Sequence, residues 1–263
     1  MIIDAHAHIY PDKIALKASK SIQAFYDLNV DHDGSVGRLL ELGKAAGISY
    51  HLVHSVATTP EQVTRINDFI IDEVNLHNDR FVGFCTLHPD FINPGKEIDR
   101  ILAAGLKGIK LHPDFQRFNL DGERAYGIYE AAEGRLPILT HMGDPRYDFS
   151  KAERLYRVIE RFPRLTFIGA HLGSYSDWDG AADILQGTGI YVDTSSSLAF
   201  LSPEKVRSLI DVYGADKVLF ACDYPMWTPS EEIERLNKVP LSLEERRMIM
   251  CDNAAKLLGL PLT

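Results

Sequence analysis

Cysteine is scarce in this chain: there are three in 263 residues, Cys85, Cys222 and Cys251. They are far apart, odd in number and not arranged as CxxC. A disulfide framework is therefore not expected, and buried reduced thiols point to the cytoplasm. Basic charge is also short, with 28 Lys and Arg against 37 Asp and Glu and a formal net charge of −9. That argues against a nucleic-acid partner, which would need a basic stripe. It leaves an anionic small-molecule substrate open, because a few local cations can dominate a pocket. No apolar run is long enough to span a bilayer, and no signal peptide precedes the first motif, so no membrane association is expected. Long Gly/Ser or Pro-rich linkers are absent too, which favours one domain over residues 1–263. A homodimer is compatible with this reading.

What the chain does have is alternation. Apolar, β-branched runs at 2–8, 48–56, 81–88, 106–112, 137–142, 165–172, 190–195 and 218–223 read as strands. Amphipathic runs at 36–46, 61–78, 94–104, 122–134, 151–162, 178–185 and 203–213 separate them, and 230–237 and 243–258 follow as helices. Thr59-Pro60-Glu61-Gln62 and Ser242-Leu243-Glu244-Glu245 both carry the spacing of a capping box. Eight strand–helix units in about 250 residues are the usual size of a closed (β/α)8 TIM barrel. The rival, an open doubly wound sheet, would normally place a glycine-rich turn after its first strand. Here that strand runs into His6-Ala7-His8-Ile9-Tyr10-Pro11, without glycine.

A barrel places its chemistry at the C-terminal ends of its strands. The first strand carries Asp4, His6 and His8 on one face, because alternate strand residues point the same way. Two neutral imidazoles so placed form a metal pair. The following strands end near His54, His88, His112, His141, His171, Asp193 and Asp223. Of the ten histidines, His32, His51 and His77 fall away from these ends.

The run Asp-x-His-x-His, the single histidines closing strands five and six, and the aspartate closing strand eight resemble the amidohydrolase superfamily. Gly108-Ile109-Lys110-Leu111-His112-Pro113, Gly169-Ala170-His171-Leu172-Gly173, Cys222-Asp223-Tyr224-Pro225 and Asn253-Ala254-Ala255-Lys256-Leu257-Leu258 resemble its amidohydrolase-2 branch. That branch includes aminocarboxymuconate-semialdehyde decarboxylase, related aromatic-acid decarboxylases, and lactone hydrolases or hydratases. The resemblance implies that His6, His8, His141 and Asp223 hold one divalent metal, commonly zinc. Asp223 would then act as general acid–base, and His171 would polarise a carbonyl or orient the nucleophile. Lys110 has two readings. Carboxylated, it would bridge a second metal; as a free ammonium, it would pair a substrate carboxylate.

His112, Arg146 and Tyr224 are candidate substrate contacts, as are Phe115, Gln116, Arg117 and Tyr147. A surface ion pair is the competing reading for the two arginines, and a rim position for Tyr224 and Trp227. His54 and His88 read as satisfied core or rim histidines. Asp193 reads as an N-cap or loop anchor, and Asp4 as a barrel-filling group supporting the site. The expected activity is metal-dependent hydrolysis of an amide, lactone or similar carbonyl in a small polar or anionic substrate. The alternative is metal-dependent decarboxylation or hydration of an unsaturated or aromatic acid. A phosphoesterase of the polymerase-and-histidinol-phosphatase type also opens Asp-x-His-x-His, but fits the strand-end histidines less well.

Overall fold

Eight short parallel strands form the centre of the computed structural model, which describes residues 1–28, 30 and 32–261. They are β1 (Ile3–His8), β2 (Tyr50–His54), β3 (Phe81–Thr86), β4 (Gly108–Leu111), β5 (Ile138–Thr140), β6 (Phe167–Gly169), β7 (Tyr191–Asp193) and β8 (Val218–Leu219), paired in sequential order. The ring closes from the last strand to the first. Ala5 N–H donates to the Phe220 carbonyl at 2.9 Å, Asp223 N–H to the His6 carbonyl at 2.8 Å, and His8 N–H to the Tyr224 carbonyl at 2.7 Å. The expected (β/α)8 barrel is the observed fold.

The helices are α1 (Asp12–Tyr26), α2 (Val36–Ala46), α3 (Val63–Leu76), α4 (Pro94–Ala103), α5 (Pro113–Gln116), α6 (Tyr126–Ala132), α7 (Ala152–Arg161), α8 (Trp178–Leu185), α9 (Pro203–Tyr213), α10 (Pro229–Asn237), α11 (Leu243–Arg247) and α12 (Asn253–Leu258). Their buried stripes, Leu39, Ile70, Ile101, Leu155 and Leu209 among them, pack on strand residues such as Val53, Cys85 and Leu111. Each such side chain stabilises the fold by roughly 1.5–3 kcal/mol when fully buried. A second cluster seats Ala254, Ala255 and Leu258 of α12 against Ile3, Leu52, Phe84 and Ile168. No described helix is long and apolar enough to cross a membrane.

The sequence-based expectations need four corrections. Helix α1 was not expected. Its apolar residues Ile14 and Leu16 are 43% and 57% exposed, whereas Ala15, Ser19 and Ile22 are buried, so its helical period is hidden. The single helix expected over 243–258 is three segments, with a π-helical turn at Met248–Asp252 between α11 and α12. At the start of α11 the Ser242–Glu245 capping box forms, but Thr59 caps nothing; Gln62 Oε1 instead accepts from Thr58 N–H at 2.8 Å. The expected strands over 165–172, 190–195 and 218–223 also stop early. The chain turns through left-handed conformations at His171, Ser196 and Asp223, with φ of 62°, 51° and 63°. Such φ values are uncommon outside glycine and cluster at functional sites.

Candidate active site

The last of those turns brings Asp223 to the two histidines of β1. His6 Nε2 lies 3.3 Å from His8 Nε2 and 3.3 Å from Asp223 Oδ1, and His8 Nε2 lies 3.5 Å from the same oxygen. The backbone bond from Asp223 N–H to His6 sets this distance. The other Asp223 oxygen accepts from the Ser196 hydroxyl at 2.6 Å, and Trp227 Nε1–H donates to Ser196 Oγ at 3.1 Å.

Asp193 does more than anchor a loop. Its Oδ1 accepts the backbone N–H of His171 at 3.0 Å and of Ser195 at 3.1 Å, which is the anchoring role. Its Oδ2 lies 2.9 Å from His6 Nδ1. A carboxylate there keeps the proton on Nδ1 and leaves the Nε2 lone pair facing Lys110, which donates to it at 2.9 Å, with His8 and Asp223 beside it at 3.3 Å. The sequence signal was present, an aspartate closing strand seven, but the hydroxyl-rich run after it supports a loop anchor equally well. Asp4 lies deeper, as expected. It accepts from Cys222 N–H at 2.9 Å and pairs with His51 Nδ1 at 2.9 Å. Helix α2 approaches closely there, and a Cβ at Gly43 would overlap the His51 ring.

A second set of imidazoles forms one directed chain. The Ser195 carbonyl can only accept, so His171 Nδ1, 2.9 Å away, donates to it. His171 Nε2 then accepts from His141 Nδ1 at 3.0 Å. That leaves the His141 Nε2 lone pair for the Tyr26 hydroxyl, a long contact of 3.5 Å. Tyr26 accepts in turn from His112 Nε2 at 2.9 Å, and His112 Nδ1 accepts from Phe115 N–H at 3.3 Å. His141 lines the same pocket as His6, His8 and Asp223, with its nitrogens facing His171 and Tyr26. Its ring stacks on His112 with centroids 4.0 Å apart, and its ligand atom groups with those of His112 and Asp114.

The electrostatics keep the rings neutral. Burial first, and the nearby Lys110 ammonium second, hold His6 and His8 well below the ordinary histidine value. Burial pushes His171 down to about 4. Burial pushes the Asp223 carboxyl up, against the Ser196 hydroxyl and the Lys110 charge, and it pushes the Lys110 ammonium down. Neutral imidazoles and a nearby carboxylate oxygen are the donor set that suits a divalent cation.

A narrow pocket opens over these groups. Its polar side is His6, His8, His112, His141, His171, Ser196 and Asp223, and its apolar side includes Ile22, Tyr26, Phe115, Tyr175 and Met226. Ile22 and Tyr26 come from α1, so the unforeseen helix supplies part of the wall. Among the described lining residues none is lysine or arginine.

Several expected substrate contacts are elsewhere. His112 does line the pocket, with Phe115 stacked on it at 3.8 Å. Arg146 does not. Its guanidinium donates to Asp144 at 2.9 and 2.7 Å and to the Phe25 carbonyl, and lies 4.2 Å over the Phe25 ring, so it fastens the end of α1. Tyr224 is fully buried and its hydroxyl donates to the Ser35 carbonyl at 3.1 Å, away from the pocket. Lys110 is fully buried with Nζ 2.9 Å from His6 Nε2, and is not a wall residue. His88 accepts from Asp90 N–H at 3.2 Å, as a rim histidine would. His54, expected to be satisfied, is not: neither ring nitrogen has a partner.

A family model described as amidohydrolase matches residues 3–260. The chain belongs to that family. Solved structures with the same fold include 5-carboxyvanillate decarboxylase from Sphingomonas paucimobilis, 18% identical over 99% of each chain with a TM-score of 0.78. A dihydroxybenzoic acid decarboxylase from a Polaromonas species, solved with bound manganese, is 17% identical over 98% of this chain and 96% of its own, with a TM-score of 0.76. A Pseudomonas putida protein described as a 2-pyrone-4,6-dicarboxylic acid hydrolase is 18% identical over 100% of this chain and 98% of its own, with a TM-score of 0.71. For this amidohydrolase, family membership and the converging donors make a divalent metal the expected cofactor.

Proposed function

We propose that this amidohydrolase is a metal-dependent decarboxylase of a small aromatic or unsaturated monocarboxylic acid. The observation that carries the reading is the division of the pocket: aromatic rings on one side, a buried carboxyl and neutral imidazoles on the other. Tyr26, Phe115 and Tyr175 suit a flat ring held by stacking. Among the described lining residues none is lysine or arginine, so a second carboxylate would be buried without a cationic partner, which is costly. One anionic group facing the cation site is what the pocket accommodates.

His6, His8 and Asp223 would hold the cation, and their nitrogen-rich set favours zinc. When bound, the ion would supply positive charge for the substrate's carboxylate or an adjacent oxygen. The chemistry then falls to Asp223. The bond from the ring carbon to the carboxylate breaks, carbon dioxide leaves, and the electron pair stays on the carbon. Asp223 would pass a proton taken from water to that carbon. Ser196 orients the carboxyl from its other oxygen.

Hydrolysis of a lactone or amide is the second reading. It is supported by the same aspartate, which when ionised serves as base for an attacking water. Turnover of a panel of small aromatic acids and lactones in D2O and in H2¹⁸O separates the two. Decarboxylation releases carbon dioxide and leaves deuterium on the vacated carbon. Incorporation of ¹⁸O without carbon dioxide would establish hydrolysis instead.

A further inference from the structure

Helix α1 lays one polar group on the pocket wall that the proposed reaction does not use. Tyr26, the last residue of α1, lines the pocket with its hydroxyl buried between two imidazoles. The phenol oxygen lies 2.9 Å from His112 Nε2. His112 Nδ1 accepts from Phe115 N–H, so Nε2 carries the ring proton and donates to the phenol. The phenol's own hydrogen must then go elsewhere. Its acceptor among the described residues is His141 Nε2 at 3.5 Å, beyond the roughly 2.5–3.0 Å usual for a hydroxyl donor. A cation drawing on His141 would take even that contact away. Burial, followed by the negative charges of Asp223, Asp114 and Asp144, holds the phenol well above its ordinary value, so near neutral pH it keeps this hydrogen.

Other donors on the wall are committed. The Ser196 hydroxyl donates to Asp223 at 2.6 Å, and His171 Nδ1 donates to the Ser195 carbonyl at 2.9 Å. The Tyr26 ring is also held in place, with the Tyr175 ring 5.5 Å away, the Phe115 ring 6.0 Å away and the Arg146 guanidinium 5.7 Å from its centroid. A buried donor without a good acceptor is costly, and on a pocket wall a ligand oxygen can meet it. The donor is neutral, so it suits a neutral oxygen rather than a second anion. We propose that Tyr26 is a specificity-determining residue, whose hydroxyl donates to a hydroxyl or oxo oxygen carried on the ring of the bound acid. The inference rests on the aromatic-acid reading of the pocket and narrows it. An unsubstituted ring leaves the phenol hydrogen on its long contact, whereas an oxygenated ring gives it an acceptor.

Calorimetry tests this with benzoate and the three monohydroxybenzoates as probes, on zinc-loaded wild type and Tyr26→Phe. Wild type is expected to bind at least one hydroxybenzoate about three- to tenfold more tightly than benzoate, the usual contribution of one neutral hydrogen bond. Tyr26→Phe keeps the ring and removes only the hydroxyl. It should abolish that preference, hold the affinity for benzoate within about twofold and retain the metal content of wild type. A purely structural role for the hydroxyl would weaken all four acids together and leave their ratios unchanged. That result would remove Tyr26 from substrate selection while the aromatic-acid reading stands. A wild type that binds all four acids equally would overturn the proposal in the same way. If wild type binds none of them, the aromatic-acid reading itself fails and the assignment of Tyr26 falls with it.

Discussion

Asp193 Oδ2 and His6 Nδ1 lie 2.9 Å apart although 187 positions separate them in the chain. The pair spans the barrel closure, linking the end of β7 to β1, and fixes which nitrogen of His6 faces the site. Asp193→Ala is expected to keep the barrel folded and to weaken metal binding about 10- to 100-fold, the usual effect of removing a carboxylate behind a ligating histidine. Competition titration with a chelator measures it. Undiminished affinity would show that the pair is only structural.

Asp223→Asn should cost more in turnover than in metal. The amide still offers an oxygen to the ion but cannot carry a proton near neutral pH, so kcat should fall roughly a hundredfold or more. Elemental analysis alongside steady-state rates separates the two effects. Near-normal turnover with the metal retained would move the acid–base role to another group, with His171 next in reach.

Arg146 holds α1 over the pocket through Asp144 and the Phe25 carbonyl. Arg146→Ala should speed amide hydrogen exchange at the end of α1 and raise KM, with little change in kcat. Global stability should fall by less than about 1 kcal/mol, because the pair is partly exposed. Unchanged exchange in α1 would remove Arg146 from this fastening role.

Glu232 gives a pH dependence of stability outside the site. It is buried, one oxygen meets Arg235, and Oε2 has no partner. Burial raises its carboxyl from 4.5 to about 8. Between those values the folded state binds a proton that the unfolded chain does not, so this contribution is full below about 4.5 and is lost as pH rises through about 8. Glu232→Gln should flatten the decline and leave the variant more stable than wild type at alkaline pH. Thermal melting of both proteins from pH 5 to pH 8.5 tests this, and parallel curves would contradict it.

The fold was legible because the two periodicities alternate so regularly. α2, α8 and α9 have the bounds their amphipathic runs imply. His6, His8 and Asp223 could be read from strand alternation and from their place at strand ends. The rest depends on geometry that no local run encodes. Helix α1 hides its period behind exposed Ile14 and Leu16, and with it Tyr26 was missed. The direction of the Tyr224 hydroxyl follows from the turn at Asp223, which itself adopts φ of 63°. Asp193 carried the right chemistry at the right strand end, but only barrel closure shows that it faces His6. His54 looked like any strand-end histidine until both its nitrogens proved unpartnered.

The most direct measurement is anomalous diffraction from crystals of the protein loaded with Zn2+ or Mn2+. The account predicts a strong peak within bonding distance of His6 Nε2, His8 Nε2 and Asp223 Oδ1. No peak there after loading, or a peak confined to His112, Asp114 and His141, would contradict it.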